Sequence, residues 1–320
     1  MEEARVPQVI DFRVRLPLEL RPDEELPADY LDQYDQVLDL SANRHRTLAD
    51  LLADMEASGT EHSVVHAEYE YGDDADALNE AVGKLVAEHP GVFSGYGTIS
   101  MNPVKVPRAL SQVRRVAELG LAGLSIQPSF FGIPIDDRVL YPVYAKADEL
   151  GLHVALHTGI NYTVSFPIRN DQPIQLDQVA CDFPGLVLIA CHAGWPWVAE
   201  MVAVMRKHPN VYAEFGGLAP RYVCEPDTGW EVMKRFMNSL LGAQVLHGTD
   251  WPVFPMDKAL AQWRAGGLRD HVLEGLIGGN AARLLGLDPG QPHQPRVALQ
   301  PSVAAARAVS KDPGPHSVSR

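Results

Sequence analysis

The chain has 320 residues, 46% of them hydrophobic, enough to bury a large core. A formal net charge of -14 argues against nucleic acid or an anionic membrane as the main partner. Cys181, Cys191 and Cys224 are too few and too irregularly spaced for a disulfide framework or a zinc knuckle, which points to a reducing cytoplasmic setting. No uninterrupted apolar stretch matches a membrane span, and the first residues lack the basic-then-apolar layout of a signal peptide.

Residues 9–14 read as a first strand. The next forty or so mix acidic and apolar positions with Pro17, Pro22 and Pro27, predicting a loop over one end of the fold and a helix near 46–55. Strand two is expected at 63–68, strand three at 96–100 and strand four at 123–127, each followed by a helical pattern. Strand four runs into the aromatic loop Pro128-Ser129-Phe130-Phe131-Gly132, and strand five at 153–157 into an aperiodic segment at 160–173. Strands six, seven and eight are expected at 186–192, 211–215 and 244–250, and a helix at 272–287 closes the series. Eight strands alternating with helices predict an α/β fold, a (β/α)8 TIM barrel over 1–287 with a loop and helix insertion after strand one. Residues 288–320 are rich in Pro, Gln and Ala with little periodicity and read as a flexible tail.

Three segments carry the chemistry. His157-Thr158-Gly159, Cys191-His192-Ala193-Gly194-Trp195 and His247-Gly248-Thr249-Asp250-Trp251-Pro252 each begin where an apolar, β-branched run stops. A barrel gathers the C-terminal ends of its strands at one mouth, so His157, His192 and Asp250 can share one ion although distant in sequence. His66 and Glu68 share a face at the end of strand two, and Glu214 ends strand seven. His66 is expected to be a satisfied core histidine, and His247 to face away from Asp250.

These strings, with Asn210-Val211-Tyr212-Ala213-Glu214 and the closing Gly279-Asn280-Ala281-Ala282-Arg283-Leu284-Leu285-Gly286-Leu287, resemble the amidohydrolase-related family, in its aminocarboxymuconate-semialdehyde decarboxylase-like branch. The resemblance runs from Val9 to about Leu287. It implies a divalent metal, often zinc, held by a His-x-His on strand one, a His on strand five and an Asp on strand eight. The strand-six His then binds near the metal or handles protons, and a homodimer is implied as well. Strand one departs from this pattern, because Arg13 and Arg15 occupy the His-x-His positions. A guanidinium presents only donors and ligates no cation.

Strict alternation puts Asp11 on the face of Arg13 and Arg15, where it is either a ligand or a helper that orients strand one or pairs with Arg13. With Glu68, Glu214, His157, His192 and Asp250 this suggests a metal site rebuilt from carboxylates, since unpaired buried carboxylates are costly. Such an oxygen-rich set suits iron or manganese, as one ion or two, with zinc the alternative. Glu68 and Glu214 read equally well as ligands or as salt-bridged carboxylates. Arg13 and Arg15 either grip a substrate carboxylate or phosphate or pair with barrel carboxylates. Phe130, Phe131, Ile133, Tyr162 and Phe166 either line a pocket for a bulky apolar group or pack the loops, and Trp195 either walls the site or joins the core.

His192 and Asp250 are the expected catalytic pair. The leading expectation is a metal-dependent hydrolase, a bound water or hydroxide attacking an ester, thioester, lactone or amide of a small molecule. The alternatives are a metal-dependent non-oxidative decarboxylase or hydratase of an acidic substrate, and a barrel that has lost catalysis and serves as a binding protein.

Overall fold

The computed structural model describes residues 8–22, 28–38, 43, 45–68 and 75–287, the side chains of 28–31 excepted. The expected tail at 288–320 lies outside these. Eight parallel strands run in sequence order around one sheet: β1 (Ile10–Arg15), β2 (His62–His66), β3 (Phe93–Gly97), β4 (Gly123–Ile126), β5 (His153–His157), β6 (Leu188–Cys191), β7 (Val211–Glu214) and β8 (Val245–Leu246). The ends of the sheet meet through Phe12 N donating to His247 O at 2.8 Å, Asp250 N to Arg13 O at 2.8 Å and Arg15 N to Trp251 O at 2.9 Å. The predicted barrel is the observed one.

Two apolar layers follow from strand alternation. One face of the strands, including Val65, Leu124, Val154, Leu188 and Val211, packs with residues from the surrounding helices. The other face, including Ile10, Phe12, Val64, Tyr96, Ala155, Ile189 and Leu246, fills the barrel. Above that plug the interior becomes polar, and there the site lies. No described helix is long and apolar enough to cross a membrane.

Strand three starts earlier than the sequence suggests, at Phe93 rather than Tyr96. Gly95 and Gly97 serve close packing. A Cβ on Gly95 would press against Val82 and Leu121, and one on Gly97 against Val116. The insertion after β1 holds the expected helix, Leu48–Ser58, started by a capping box between Thr47 and Asp50. It also holds a helix the sequence reading missed, Ala28–Leu38, whose signal is the helical spacing of Leu31, Tyr34 and Leu38.

Strand one carries the main correction. Its register against β2 shifts between Asp11 and Val14, the mark of a β-bulge. Phe12 therefore sits in the barrel interior, and the side chain of the next residue, Arg13, reaches Cys191 and Glu68 there too. Asp11 does not join the arginines. Its Oδ1 accepts from Thr249 N at 3.0 Å and Arg13 N at 3.1 Å, and its Oδ2 from Thr249 Oγ1 at 2.5 Å. Asp11 ties β1 to the end of β8 and offers nothing to the mouth.

Candidate active site

The floor of the barrel mouth is a two-arginine, two-carboxylate lattice. Arg13 is fully buried, with Nε 3.2 Å from Asp250 Oδ1 and Nη2 hydrogen-bonded to Glu68 Oε1. Its Nη1 faces Cys191 Sγ at 3.2 Å and His66 Nδ1 at 3.3 Å. His66 Nε2 lies 3.0 Å from the Phe12 carbonyl, which only accepts, so Nε2 carries the proton and Nδ1 offers its lone pair to Arg13. Burial, with Arg13 beside it, holds the His66 imidazole neutral. It is the core histidine the sequence suggested.

Arg15 closes the lattice from above. Its Nε and Nη2 meet Asp250 Oδ1 and Oδ2 at 3.1 and 3.0 Å, and Nη1 lies 3.1 Å from Glu68 Oε2. Burial works to raise the Asp250 carboxyl, but Arg15 and then Arg13 hold it well below the usual carboxylate range. Glu214 Oε1 accepts from Gly216 N, and Oε2 is buried without a hydrogen-bond partner. Burial pushes the Glu214 carboxyl up to about 8 against the opposing pull of Arg13, and pushes Asp11 up to about 7 against its hydrogen bonds to Thr249 and Arg13. Two guanidiniums thus face two carboxylates, while two further carboxyls move toward their neutral forms.

Two imidazoles stand over this floor. His157 closes β5 and His192 follows β6, their ring centroids 4.8 Å apart and nearly edge-on. His157 Nδ1 is 2.9 Å from Asp171 Oδ2, and Ser129 holds that carboxylate through both its backbone N and its Oγ. His192 Nδ1 donates to Gly216 O at 2.6 Å, leaving Nε2 with its lone pair. Burial first, then His157 and Arg13, push the His192 imidazole down to about 3, so it is neutral at physiological pH. His192 and Asp250 both sit in left-handed backbone, φ 60° and 57°, which costs a non-glycine residue about 1–3 kcal/mol and tends to mark functional positions. Gly217, itself at φ 71°, lets the chain after β7 lie on both: a Cβ there would stand 3.1 Å from His192 Nδ1 and 3.5 Å from Asp250 Oδ2.

Arg13, Arg15, His157, His192 and Asp250 line one pocket, whose space with its open mouth included is about 570 Å³. Its walls are Tyr34 and Leu38 from the inserted helix, Gln127 after β4, Tyr162 and Trp195. Tyr162 and Trp195 thus line the pocket. Phe130 and Phe131 are buried, and Phe130 packs edge-on to Phe166 at 5.2 Å, in a cluster that seats Tyr34. These three phenylalanines hold the wall rather than line the pocket. Asp171, Tyr34 and Gln127 escaped the sequence reading. Asp171 sits in an aperiodic loop, and nothing in its local spacing marks it.

The expected metal ligands do not converge. Among the described residues, the one group of three or more His, Cys, Asp or Glu side chains with ligand atoms within 4.8 Å of one another is Asp177, Cys181 and His208, away from the mouth. Asp250 and Glu68 have their oxygens turned to guanidinium groups, Asp11 to Thr249, and Glu214 to the backbone of Gly216. The negative charge inferred to call for a cation is met by Arg13 and Arg15. The residues as placed do not fit a resident divalent ion.

The fold agrees with the comparisons. The chain belongs to the amidohydrolase family, whose model matches residues 10–287. It is thereby an enzyme of the amidohydrolase superfamily. It is 26% identical over 245 residues, 68% of this chain and 67% of that protein, to 2-amino-3-carboxymuconate-6-semialdehyde decarboxylase of Dictyostelium discoideum. Its fold matches an uncharacterised TIM-barrel protein of Bordetella bronchiseptica with a TM-score of 0.71 and 25% identity, over 87% of this chain and 98% of that one. It also matches a dihydroxybenzoic acid decarboxylase of Polaromonas sp. JS666, solved with bound manganese and 2-nitroresorcinol, with a TM-score of 0.64 and 16% identity over 88% and 98% of the two chains. The curated relative, a decarboxylase, stands nearer the decarboxylase or hydratase alternative than the leading expectation of hydrolysis.

Proposed function

We propose that the protein is a non-oxidative decarboxylase, a carbon–carbon lyase acting on a small unsaturated or aromatic carboxylate. The observation that carries this reading is the pair of imidazoles over the guanidinium floor. Both have Nδ1 fixed, by Asp171 and by Gly216 O, so each turns its Nε2 to the pocket as the exchangeable position. The curated decarboxylase relative supports the same choice.

In this reading the substrate lies between Tyr162 and Trp195, its oxygen substituents toward Arg15. His192, neutral and with its Nε2 lone pair facing in, accepts a hydrogen bond or a proton from a hydroxyl on the substrate. Nε2 of His157 delivers a proton to the carbon that bears the carboxylate, while Asp171 keeps Nδ1 protonated and the ring in place. The new carbon–hydrogen bond takes a π electron pair of the substrate, and the pair of the breaking carbon–carboxylate bond replaces it in the π system as carbon dioxide leaves. Negative charge that spreads onto the substrate oxygens meets the fixed guanidinium of Arg15, an oriented donor that needs no rearrangement during the step.

The test is a panel of hydroxybenzoates and unsaturated carboxylic acids, followed by carbon dioxide release and by proton NMR in deuterated water. Release of carbon dioxide with one deuterium at the vacated carbon supports the assignment. Water addition, or acid release from ester and lactone substrates with no carbon dioxide from any member, overturns it.

A further inference from the structure

We infer that Arg13 and Arg15 stand in the place of the divalent cation, so that this chain's barrel mouth has no resident metal and is held together by fixed organic cations. The inference rests on the ion pairs and not on the proposed reaction.

Its first support is the geometry around Asp250, the strand-eight carboxylate that the resemblance makes a ligand. Oδ1 is approached by Arg13 Nε at 3.2 Å and Arg15 Nε at 3.1 Å, and Oδ2 by Arg15 Nη2 at 3.0 Å. A metal bond to either oxygen would displace a charge-assisted hydrogen bond, one of them half of a two-point guanidinium–carboxylate fork. The second support is the bulge in β1. It turns Arg13 into the interior immediately after Phe12, so its guanidinium is packed among Glu68, Cys191 and His66 and cannot swing to solvent. The third is repulsion. An ion reaching His157, His192 and Asp250 together would lie beside two guanidiniums that never deprotonate in a protein.

The substitution is also chemically economical. Glu68 and Asp250 supply two negative charges, and Arg13 and Arg15 supply two positive ones. A guanidinium offers directional donors where a metal offers an open coordination position, so developing negative charge can be met by a hydrogen bond from Arg15. The two histidines, freed from ligation, keep Nε2 available for proton transfer.

The inference is tested without substrate. Protein purified in chelator-free buffer is analysed for zinc, iron and manganese, then titrated with Mn²⁺ while the spin-resonance signal of the free aqua ion is followed. The natural protein should carry less than about a tenth of an equivalent of any of these metals, and the Mn²⁺ signal should fall no faster than in buffer. The variant Arg13→His/Arg15→His restores the His-x-His spacing and should take up about one equivalent, whereas Arg13→Lys/Arg15→Lys, which keeps the charges, should take up none. One equivalent of metal kept by the natural protein through gel filtration overturns the inference. So does a folded histidine variant that leaves the Mn²⁺ signal unchanged. If the double variant does not fold, the metal content and Mn²⁺ titration of the natural protein decide: one bound equivalent overturns the inference, and none supports it.

Discussion

Arg15 and Asp250 meet fork to fork: Nε and Nη2 of the guanidinium lie 3.1 and 3.0 Å from the two oxygens of the carboxylate. The pair joins the end of β1 to the segment after β8, where the barrel closes, and the Arg15 side chain is only 12% exposed. Removing one member leaves a buried charge uncompensated, which typically costs about 3–5 kcal/mol. Arg15→Gln and Asp250→Asn should each lower stability by roughly 3 kcal/mol, with activity lost in both. The double variant should cost clearly less than the sum, because each change alone strands the other partner. Urea unfolding of the four proteins measures this, and strict additivity would deny the coupling.

Asp171 is a positioning residue that acts through His157. Asp171→Asn keeps the side-chain shape but turns one oxygen into a donor, so Nδ1 of His157 loses a fixed acceptor. The expected fall in kcat is about 10²-fold, at the lower end of what positioned acid–base groups contribute, with KM little changed. The pH profile of kcat should shift with it. A variant of unchanged kcat and profile would remove Asp171 from the mechanism.

The inward carboxyls set the pH dependence of stability. Burial raises the folded Glu214 carboxyl from about 4.5 to about 8, so between these values the folded protein holds a proton that the unfolded chain has released. Stability contributed by protonated Glu214 is therefore full below about pH 4.5 and lost as pH rises to about 8. Asp11, raised to about 7 by burial, acts in the same direction from a lower starting point. Asp250 acts oppositely, its contribution being lost only as pH falls into the acid range. Glu214→Gln should flatten the decline in melting temperature between pH 5 and 8, and an equally steep decline in the variant would contradict this assignment.

The inserted helix Ala28–Leu38 brings Tyr34 onto Tyr162, ring centroids 5.9 Å apart, above the Phe130–Phe166 pair. Phe166→Ala removes the edge-on contact under that wall. An aromatic pair contributes about 0.5–1.5 kcal/mol beyond its buried area, and the loss should appear as a KM raised roughly tenfold rather than as a failure to fold. Steady-state kinetics beside a thermal melt separates these outcomes.

Much of this was legible in the sequence, for a definite reason. His157, His192 and Asp250 each follow an apolar β-branched run, and a barrel converts strand ends into neighbours. The ion pairing of Arg13 and Arg15 with barrel carboxylates was one of the two readings the residues allowed. The face of Asp11 was misread because alternation assumes an unbroken strand, and the bulge before Val14 resets it. The expectation of a cation drew on a count of barrel carboxylates. Counting carboxylates assumes that all are ionised, whereas burial raises Glu214 and Asp11. Asp171 and Tyr34 were invisible because their contacts with His157 and Tyr162 depend on how loops from different strands fold over the mouth.

The most direct measurement is anomalous scattering at the manganese edge from crystals soaked in millimolar Mn²⁺. No anomalous peak is expected between His157, His192 and Asp250, with the Arg15 guanidinium still within hydrogen-bond distance of both Asp250 oxygens. A peak bonded to His157 and Asp250, with Arg15 swung aside, would contradict it.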